Sequence, residues 1–195
     1  MAGPLIRLAT AGDAAAIAGI YAPYVSDTPV SFEEEPPGPE EMARRMAGDG
    51  NGLHPWLVAE VDGQVVGFAS SSPFRARPAY RWTVETGVYL APEAQGRSLG
   101  RALMERMLEL LTRQGFTAAV AGITLPNDPS VALHEKLGFA PTATYCNTGF
   151  KLGECGQWRC SPATWHRALL HRRKSALSPT FGDHRQQDRS QDHAD

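Results

Sequence analysis

The hydrophobic pattern changes its period at Pro92, and this change constrains the fold more than any other feature of the sequence. Before the proline, residues 82–90 alternate in the manner of a strand. After it, apolar residues recur at helical spacing over residues 99–111, and Gly115 stands where such a helix would end. The pattern therefore predicts a strand that passes through a short loop directly into an amphipathic helix.

Further strands and helices are predicted on both sides of this unit. Strand patterns cover residues 5–8, 56–61, 65–70, 118–123 and 142–150, and helical patterns cover residues 17–24, 40–47 and 128–137. Asp62-Gly63 between two of the strands favours a type I′ turn, because both residues tolerate positive φ. A poorly defined stretch around residues 158–169 completes the core. Because strands precede and surround the helices, the fold class is α/β, a mixed α+β sandwich.

The size and composition indicate one domain with an appendage. The chain has 195 residues, and the last 24 of them are rich in Arg, Asp, Gln, His and Ser. Such a segment cannot bury enough apolar surface to offset its loss of conformational entropy. We therefore predict a folded domain over residues 1–171 and a polar, disordered tail over residues 172–195.

Charge, hydropathy and cysteine content exclude several classes of protein. A formal net charge of −2 gives no electrostatic footprint for nucleic acid or for an anionic membrane. The longest apolar run, residues 14–22, is far shorter than a membrane span of roughly 20 residues, and no secretory h-region is present. Three cysteines without a Cys-x-x-Cys spacing indicate neither a disulfide framework nor a zinc site. The expectation is a cytoplasmic protein that binds no metal, no nucleic acid and no membrane.

The loop between the strand at residues 82–90 and the helix that begins near residue 99 is a candidate anion site. Gly96 and Gly100 lie where the helix begins, and amide N–H groups at a helix N-terminus attract anions such as a pyrophosphate. The loop has neither the Walker pattern nor Gly-x-Gly-x-x-Gly. On the loop alone, an anion site and an ordinary strand-to-helix turn are both open.

Two blocks of the sequence resemble the GCN5-related N-acetyltransferase (GNAT) superfamily. Residues 95–100, with the pattern Gln-x-x-Ser-x-Gly, resemble its acyl-CoA pyrophosphate loop, and residues 125–139 resemble its next block, an asparagine followed by a short helix and Gly-Phe. Residues 56–63 and 82–85 are similar to the phosphinothricin N-acetyltransferase branch, which also acts on methionine sulfoximine and sulfone. The resemblance covers residues 6–151. It implies the GNAT fold, a central mixed and mostly antiparallel twisted sheet flanked by helices.

The resemblance also implies a site for acetyl-CoA, as acetyl donor and co-substrate. The strand backbone would pair with the pantetheine arm, the loop would surround the pyrophosphate, and an asparagine would contact the cofactor farther along the arm. The residues so implied are Val88, Tyr89, Leu90, Gly96, Arg97, Ser98, Leu99, Gly100, Arg101 and Asn127. Ser98 replaces a glycine of the pattern: serine is strained if the position needs positive φ, and a good cap if it begins the helix. Arg97 and Arg101 either add charge near the phosphates or remain solvated.

Glu85 and His134 are the candidate catalytic residues. An amine must lose a proton as it attacks a thioester, so a positioned carboxylate or histidine is required. Alternation places Glu85 on the strand face opposite Val84, where it is either a general base or an exposed ion-pair partner. His134 lies on a predicted helix, where a structural role is the alternative. In the resembled branch both positions belong to the active site, which implies Glu85 as general base and His134 as proton relay, base or acid.

The segment before the Glu85 strand is the candidate acceptor site. Arg75 and Arg77 carry guanidinium groups suited to a carboxylate or a phosphinate, although a loop with solvated arginines has the same composition. The substrate-binding set that the resemblance implies also contains Phe32, Ala76, Tyr80, Glu85, Thr86 and Gly87. Phe32 and Tyr89 either line the side-chain pocket or belong to the core.

Together these features predict an acetyl-CoA-dependent N-acetyltransferase that acetylates the α-amine of a small amino-acid analogue, of the phosphinothricin, methionine sulfoximine or methionine sulfone type. Transfer is expected to be direct, without a covalent enzyme intermediate. The alternatives are the same chemistry on another amine (an ordinary amino acid, a polyamine, an antibiotic or a protein N-terminus) and a non-catalytic acyl-CoA-binding module. Residues 152–165 depart from the branch, in a region that often borders the acceptor site and the interface of the expected homodimer.

Overall fold

The structure of the protein is a computed structural model. It describes residues 3–48, 50, 52–149, 151–152 and 161–170, of which 146–149 and 161–167 are described by their backbone. The predicted tail at residues 172–195 and residues 153–160 of the divergent segment lie outside the described residues.

Seven strands and four α-helices make up the described part of the chain. The strands are β1 (Leu5–Leu8), β2 (Leu57–Val61), β3 (Gln64–Pro73), β4 (Thr83–Leu90), β5 (Ala118–Thr124), β6 (Ala140–Gly149) and β7 (Ser161–Leu169). The helices are α1 (Ala14–Ser26), α2 (Pro39–Ala47), α3 (Leu99–Gln114) and α4 (Asp128–Lys136). The strands form one sheet in the order β1-β2-β3-β4-β5-β7-β6, antiparallel except for the β4–β5 pair. The mixed, mostly antiparallel sheet predicted from the sequence is confirmed.

The β2–β3 hairpin turns where the sequence predicts it. The backbone φ is 50° at Asp62 and 81° at Gly63, in the left-handed region that a type I′ turn requires at both central positions. β3 is longer than the predicted strand over residues 65–70, because Ser72 and Pro73 continue the pairing with β4. This extension matters for the site, since it places a second strand beside the whole length of β4.

Helices cover both faces of the sheet. On one face α3 packs with Leu103 and Met107 fully buried against Val84 of β4. On the other face α1 and α2 pack around Ile17 and Phe68. Alternation along the strands keeps the two apolar sets apart, so the central strands β2, β3 and β4 contribute to both. Within the described ranges, no helix is long and apolar enough to cross a membrane.

The parallel pair β4–β5 is short. Residues 83–85 pair with residues 118–120, and in the described chain the pairing between these two strands stops there. β4 nevertheless continues to Leu90 along β3, and β5 continues to Thr124 along β7. The two strands therefore diverge toward their carboxyl ends and leave a gap in the middle of the sheet.

Arg7 connects β1 to the start of α1. Its guanidinium donates to both carboxylate oxygens of Asp13 at 2.8 Å and to Glu60 at 2.9 Å. The Asp13 carboxylate also accepts from the backbone N–H and the hydroxyl of Thr10. Hydrogen bonds from Arg7 and Thr10 hold the pKa of the buried Asp13 carboxyl well below its usual range.

We expect Asp13→Asn to lower the free energy of unfolding by about 2 kcal/mol at neutral pH, the scale of a hydrogen bond to a charged group. Because the pKa of Asp13 is depressed in the folded protein, its contribution is complete above about pH 4 and is lost as the pH falls further. Urea unfolding of both proteins from neutral to acidic pH should therefore show two stabilities that converge in acid.

The matched control for Asp13 is Glu41→Gln, which removes a partly exposed surface carboxylate that pairs with Arg44 and Arg45 on α2. Exposed pairs contribute little, so this variant should unfold nearly as the parent does. Equal losses in the two variants, or a difference for Asp13→Asn that does not change with pH, would contradict the account of Arg7 and Asp13.

Candidate active site

A small cavity occupies the gap between β4 and β5. Its walls come from residues 86–89 on β4, residues 121–124 on β5 and the first turns of α4. Val88, Asn127 and His134, which are distant in sequence and were predicted for cofactor binding or catalysis, all line it. The divergence of the two strands thus brings one part of the predicted site together. We call this space the gap cavity.

The edge of β4 that faces the gap presents backbone hydrogen-bonding groups. Ala91 N–H donates to Val66 on β3, so alternation directs the backbone groups of Leu90 and Val88 toward the gap. The Tyr24 hydroxyl donates to the Leu90 carbonyl at 2.6 Å and accepts from the Leu90 N–H at 3.4 Å. The Val88 N–H and C=O share that direction. An edge of this kind fits the strand-like pairing with a pantetheine arm that the resemblance implies.

Tyr24 joins the strand to the loop, and sequence reasoning missed this role. Its hydroxyl also accepts from Gln95 Nε2 at 3.2 Å, so a single oxygen atom links the end of β4 to the predicted pyrophosphate loop. In the sequence Tyr24 is one residue of the apolar face of α1. Helical periodicity carries no signal that its phenol reaches a strand 66 residues away.

The predicted pyrophosphate loop has left-handed backbone at two positions. The φ angle is 71° at Gly96 and 60° at Ser98, directly before α3 begins at Leu99. Both residues and Arg97 between them are exposed, so their amide groups are accessible to a ligand. Of the two alternatives for Ser98, the structure shows the strained one: the residue is left-handed, and its side chain makes no capping hydrogen bond within the described residues.

The remaining residues of the predicted pyrophosphate loop differ in whether a backbone amide or a side chain is available to a ligand. Leu99 and Gly100 are buried at the start of α3, and a Cβ added to Gly100 would lie 3.5 Å from Leu90, an ordinary contact. Arg101 donates to Glu105 at 2.8 Å in an exposed pair one turn apart. Leu99 and Gly100 can therefore contribute backbone amides to an anion site, while the arginine side chain is directed along the helix surface.

His134 is held in one orientation beside the gap. It is 3% exposed, and its Nδ1 lies 2.8 Å from the carbonyl oxygen of Ser130. Because a carbonyl can only accept, Nδ1 carries the proton of the neutral ring and the lone pair is on Nε2. Phe139 meets the ring edge-on, with the centroids 5.0 Å apart. At the start of the same helix, Asn127 Oδ1 accepts from the Ser130 N–H and caps α4.

Glu85 is the last residue of β4 that pairs with β5, and it lies on the face opposite Val84. Its register partners are Ser72 on β3 and Val120 on β5. Partial burial raises the pKa of the Glu85 carboxyl above its usual value, and the positive charge of Arg75 offsets part of this rise. A carboxylate with a raised pKa is a stronger base, which suits proton abstraction near neutral pH.

Most of the predicted acceptor residues lie on two surface connections. Arg75, Ala76, Arg77 and Tyr80 are exposed between β3 and β4, and Phe32 is 45% exposed between α1 and α2. The Arg75 guanidinium also lies 4.3 Å from the centroid of the adjacent aromatic ring, Phe74. Of the two arginines, Arg75 is the one whose charge reaches Glu85.

Thr86 and Gly87 differ in what they offer a substrate. Thr86 is buried, and its hydroxyl donates to the Val120 carbonyl at 3.3 Å, so its side chain is directed away from the Glu85 face. Gly87 lies on the Glu85 face. A Cβ added there would lie 3.3 Å from the Tyr89 ring and 3.4 Å from Ser70 Oγ. Gly87 therefore keeps open a space that any other residue would partly fill.

A second, open cleft lies on the same face of the sheet as Glu85. We call it the aromatic cleft, because its lining includes Tyr21, Trp56, Phe68 and Tyr89. The apolar patterns of α1, β2 and β3 place these side chains inside the protein. Such patterns do not distinguish a ring packed on all sides from a ring with one edge at a cleft, so sequence reasoning missed this feature.

Lys151 fastens the connection between α1 and α2. Its Nζ donates to the carbonyl of Val25 and, at 2.7 Å, to the carbonyl of Ser31. Burial lowers the pKa of this amine. In the same connection the Tyr21 hydroxyl contacts Ser31 Oγ at 2.7 Å and donates to Glu33 at 2.9 Å. The connection is thus hydrogen-bonded both to Tyr21 of α1 and to Lys151, which follows β6 in the chain.

The model of the Acetyltransferase (GNAT) family matches residues 18–139 of the chain. Phosphinothricin N-acetyltransferase from Streptomyces viridochromogenes is 43% identical over 157 residues, which cover 79% of this chain and 85% of that protein. L-methionine sulfoximine/L-methionine sulfone acetyltransferase from Salmonella typhimurium is 37% identical over 153 residues, which cover 76% of this chain and 86% of that protein.

A solved structure shows the same architecture. The GNAT superfamily phosphinothricin acetyltransferase from Sinorhizobium meliloti, in complex with AcCoA, is 36% identical and matches with a TM-score of 0.81. The match covers 92% of this chain and 94% of that one.

We expect Ser98→Gly to raise the free energy of unfolding by roughly 0.5–1 kcal/mol. Left-handed backbone costs an L-residue about 1–2 kcal/mol, and the greater freedom of glycine in the unfolded chain offsets part of the gain. The control is Ser26→Gly at the helical end of α1, which should change stability in the opposite direction. Urea unfolding measures both; a loss of stability in the two variants alike would show that Ser98 is not strained.

Proposed function

The chain belongs to the GNAT acetyltransferase family, in the phosphinothricin N-acetyltransferase branch, and we propose that it acetylates the α-amine of a small amino-acid analogue with acetyl-CoA as donor. An N-acetyltransferase must hold a thioester and an amine side by side and remove a proton from the amine. The named substrates of the relatives, phosphinothricin and methionine sulfoximine or sulfone, supply the acceptor class of this proposal.

The observation that carries the proposal is the position of Glu85 at the point where β4 and β5 separate. The gap cavity begins one residue later, at Thr86, and Glu85 lies on the face of the sheet that carries the aromatic cleft, opposite Ser72 of its lining. Gly87 lies between the two spaces and has no side chain to separate them. A thioester held in the gap and an amine held on the Glu85 face would therefore meet beside a base.

Acetyl-CoA, when bound, supplies a thioester carbonyl carbon to which the amine nitrogen forms its new bond as the carbon–sulfur bond breaks. The Val88 N–H would donate to the thioester carbonyl oxygen and stabilise the negative charge that develops there. Residues 96–101 would bind the pyrophosphate through amides at the start of α3. Asn127, at the edge of the gap cavity, would contact the arm.

Glu85 would accept the proton of the amine, directly or through a water molecule. His134, with its lone pair on Nε2, would relay a proton along the gap cavity toward the departing thiolate. Arg75 and Arg77 would bind the acceptor carboxylate in the two-pronged geometry that guanidinium groups favour. The homodimer implied by the resemblance stays a prediction.

A panel of amines at a fixed concentration of acetyl-CoA, followed by the release of free thiol, tests the proposal. We expect turnover with phosphinothricin, methionine sulfoximine or methionine sulfone. Inactivity on every small zwitterion would remove the acceptor assignment, and acetyl-CoA binding without turnover on any amine would favour a non-catalytic module.

Glu85→Gln should lower turnover by roughly 10²–10⁴-fold, the usual effect of losing a general base. The acid limb of the dependence of kcat/KM on pH should disappear with it, since that limb reports ionisation of the base in the free enzyme. Acetyl-CoA binding, measured by calorimetry, should be retained. An unchanged acid limb in Glu85→Gln would refute the role of Glu85 as base.

Arg75→Ala should move the acid limb to higher pH. Burial raises the pKa of the Glu85 carboxyl, and the charge of Arg75 lowers it. Removal of Arg75 leaves the effect of burial unopposed, so the pKa rises further. A larger fraction of Glu85 is then protonated at a given acidic pH, and activity there falls. Arg75→Lys, which keeps the charge, should leave the limb in place.

Arg77→Ala is the matched control on the same connection. It should raise the KM of the acceptor and leave both the acid limb and the KM of acetyl-CoA unchanged. A limb that moves equally in Arg75→Ala and Arg77→Ala would show that the effect is not specific to the charge that faces Glu85.

A further inference from the structure

The aromatic cleft lies beside the proposed reaction centre, on the face of the sheet that carries Glu85. Antiparallel partners direct their side chains to the same face, and the register pairs Ser72 with Glu85 and Phe68 with Tyr89. Phe68, Ser72 and Tyr89 all line the cleft. The cleft therefore extends along β3 and β4, away from the base.

Tyr89 connects the two cavities of the protein. It lines both the gap cavity and the aromatic cleft. Ser70, which also lines the cleft, is the register partner of Gly87, which lines the gap. A molecule in the cleft can thus reach Gly87 and the gap cavity without crossing another strand.

The rings that line the cleft support one another. Phe68 is stacked with Trp56 at 5.7 Å and with Tyr89 at 5.1 Å between centroids. Tyr21 meets Tyr89 edge-on at 4.8 Å. Met42 adds a buried thioether to the lining. A wall of this composition favours an apolar or weakly polar group of the ligand.

The charge near the cleft is already compensated within the protein. Arg45 is the charged residue in its lining, and its guanidinium donates to both oxygens of Glu33 at 2.8 and 2.9 Å and to Glu41 at 2.8 Å. The guanidinium of Arg45 holds the pKa of Glu33 below its usual value, so that carboxylate remains ionised. Arg44 donates to both oxygens of Glu41 at 2.7 Å, so two guanidiniums balance two carboxylates and Arg45 offers an anionic ligand no uncompensated charge. The hydroxyls of Ser70 and Ser72 can instead donate to an uncharged oxygen.

We propose that the aromatic cleft binds the side chain of the acceptor amino acid and selects uncharged side chains that carry an apolar stem and a hydrogen-bond-accepting oxygen. The inference rests on the proposed function and deepens it. Among the acceptors named for the relatives, it selects methionine sulfone and sulfoximine over phosphinothricin, whose phosphinate is anionic. The carboxylate of the same acceptor would remain with Arg75 and Arg77.

Acceptor selectivity is the first test, with kcat/KM measured for L-methionine sulfone, phosphinothricin and L-alanine at saturating acetyl-CoA. The parent enzyme should prefer the sulfone to phosphinothricin by at least tenfold. Ser70→Leu, which fills the cleft, should lower kcat/KM for the sulfone by about 10-fold or more, the scale at which a pocket discriminates by a few carbon atoms. L-alanine, whose methyl group does not reach the cleft, and the KM of acetyl-CoA should change by less than about twofold.

Two further variants keep this test decisive. Ser26→Leu, at an exposed position of α1 outside the cleft, is the matched control and should leave all three acceptors unchanged. Ser72→Leu, at an exposed position of the same wall, replaces Ser70→Leu if that variant has a lowered Tm. A preference for phosphinothricin, or equal losses for the sulfone and L-alanine, would overturn the proposal.

Binding without turnover provides an independent measurement, because Trp56 lines the cleft. Titration with L-methionine sulfone should change the tryptophan emission in a saturable way, and Trp56→Phe should abolish the change. If no amine is acetylated but this response occurs, the proposed function fails and the cleft assignment stands. If the sulfone is acetylated without any response of Trp56, the proposed function stands and the cleft assignment fails.

Discussion

The three-residue pairing between β4 and β5 is the constraint on which the rest of the site depends. Parallel strands that stayed paired would satisfy their backbone groups with each other and leave no space for a ligand. Because the pairing stops at Glu85, the carboxyl half of β4 keeps one edge for an extended molecule while β3 holds its other edge in place. One interruption of the sheet therefore creates a cavity, an open hydrogen-bonding edge and a boundary at which Glu85, the proposed base, is located.

Because side chains alternate along a strand, the two faces of the sheet carry the two sides of the proposed site. Val84 and its neighbours face α3, whose first turn follows the predicted pyrophosphate loop, so the proposed donor side shares its support with the larger core. Glu85, Gly87 and Tyr89 face α1 and α2, on the proposed acceptor side. In the proposed function, consecutive residues of one strand would serve two ligands, and Gly87 lines the gap cavity between the residues of the Glu85 face.

The local elements of this fold could be predicted because local patterns specify them. The β4 strand at Thr83–Leu90, the Asp62-Gly63 turn and the end of α3 at Gly115 follow from alternation, positive φ and helix termination. The family resemblance also directed attention to Glu85 and His134, and the structure places them at and beside the gap.

The missed features depend on contacts that no local pattern records. The point at which β4 and β5 separate is a property of two strands whose paired residues are 35 positions apart in sequence. The Tyr24 hydroxyl reaches Leu90 and Gln95 from a helix whose periodicity reports only an apolar face. The rings of the aromatic cleft have the pattern of a core, and Arg45 is indistinguishable in sequence from an ordinary helix arginine until Glu33 is placed against it.

Lys151 also makes contacts that no local pattern records, since its two hydrogen bonds span 126 and 120 residues. During synthesis, α1 and the connection that follows it leave the ribosome long before β6. The hydrogen bonds from Lys151 to Val25 and Ser31 can therefore form only when nearly the whole domain has emerged. A nascent chain that ends before β6 lacks Lys151 and its hydrogen bonds to Val25 and Ser31, so completion of the proposed acceptor side is a late event in biogenesis.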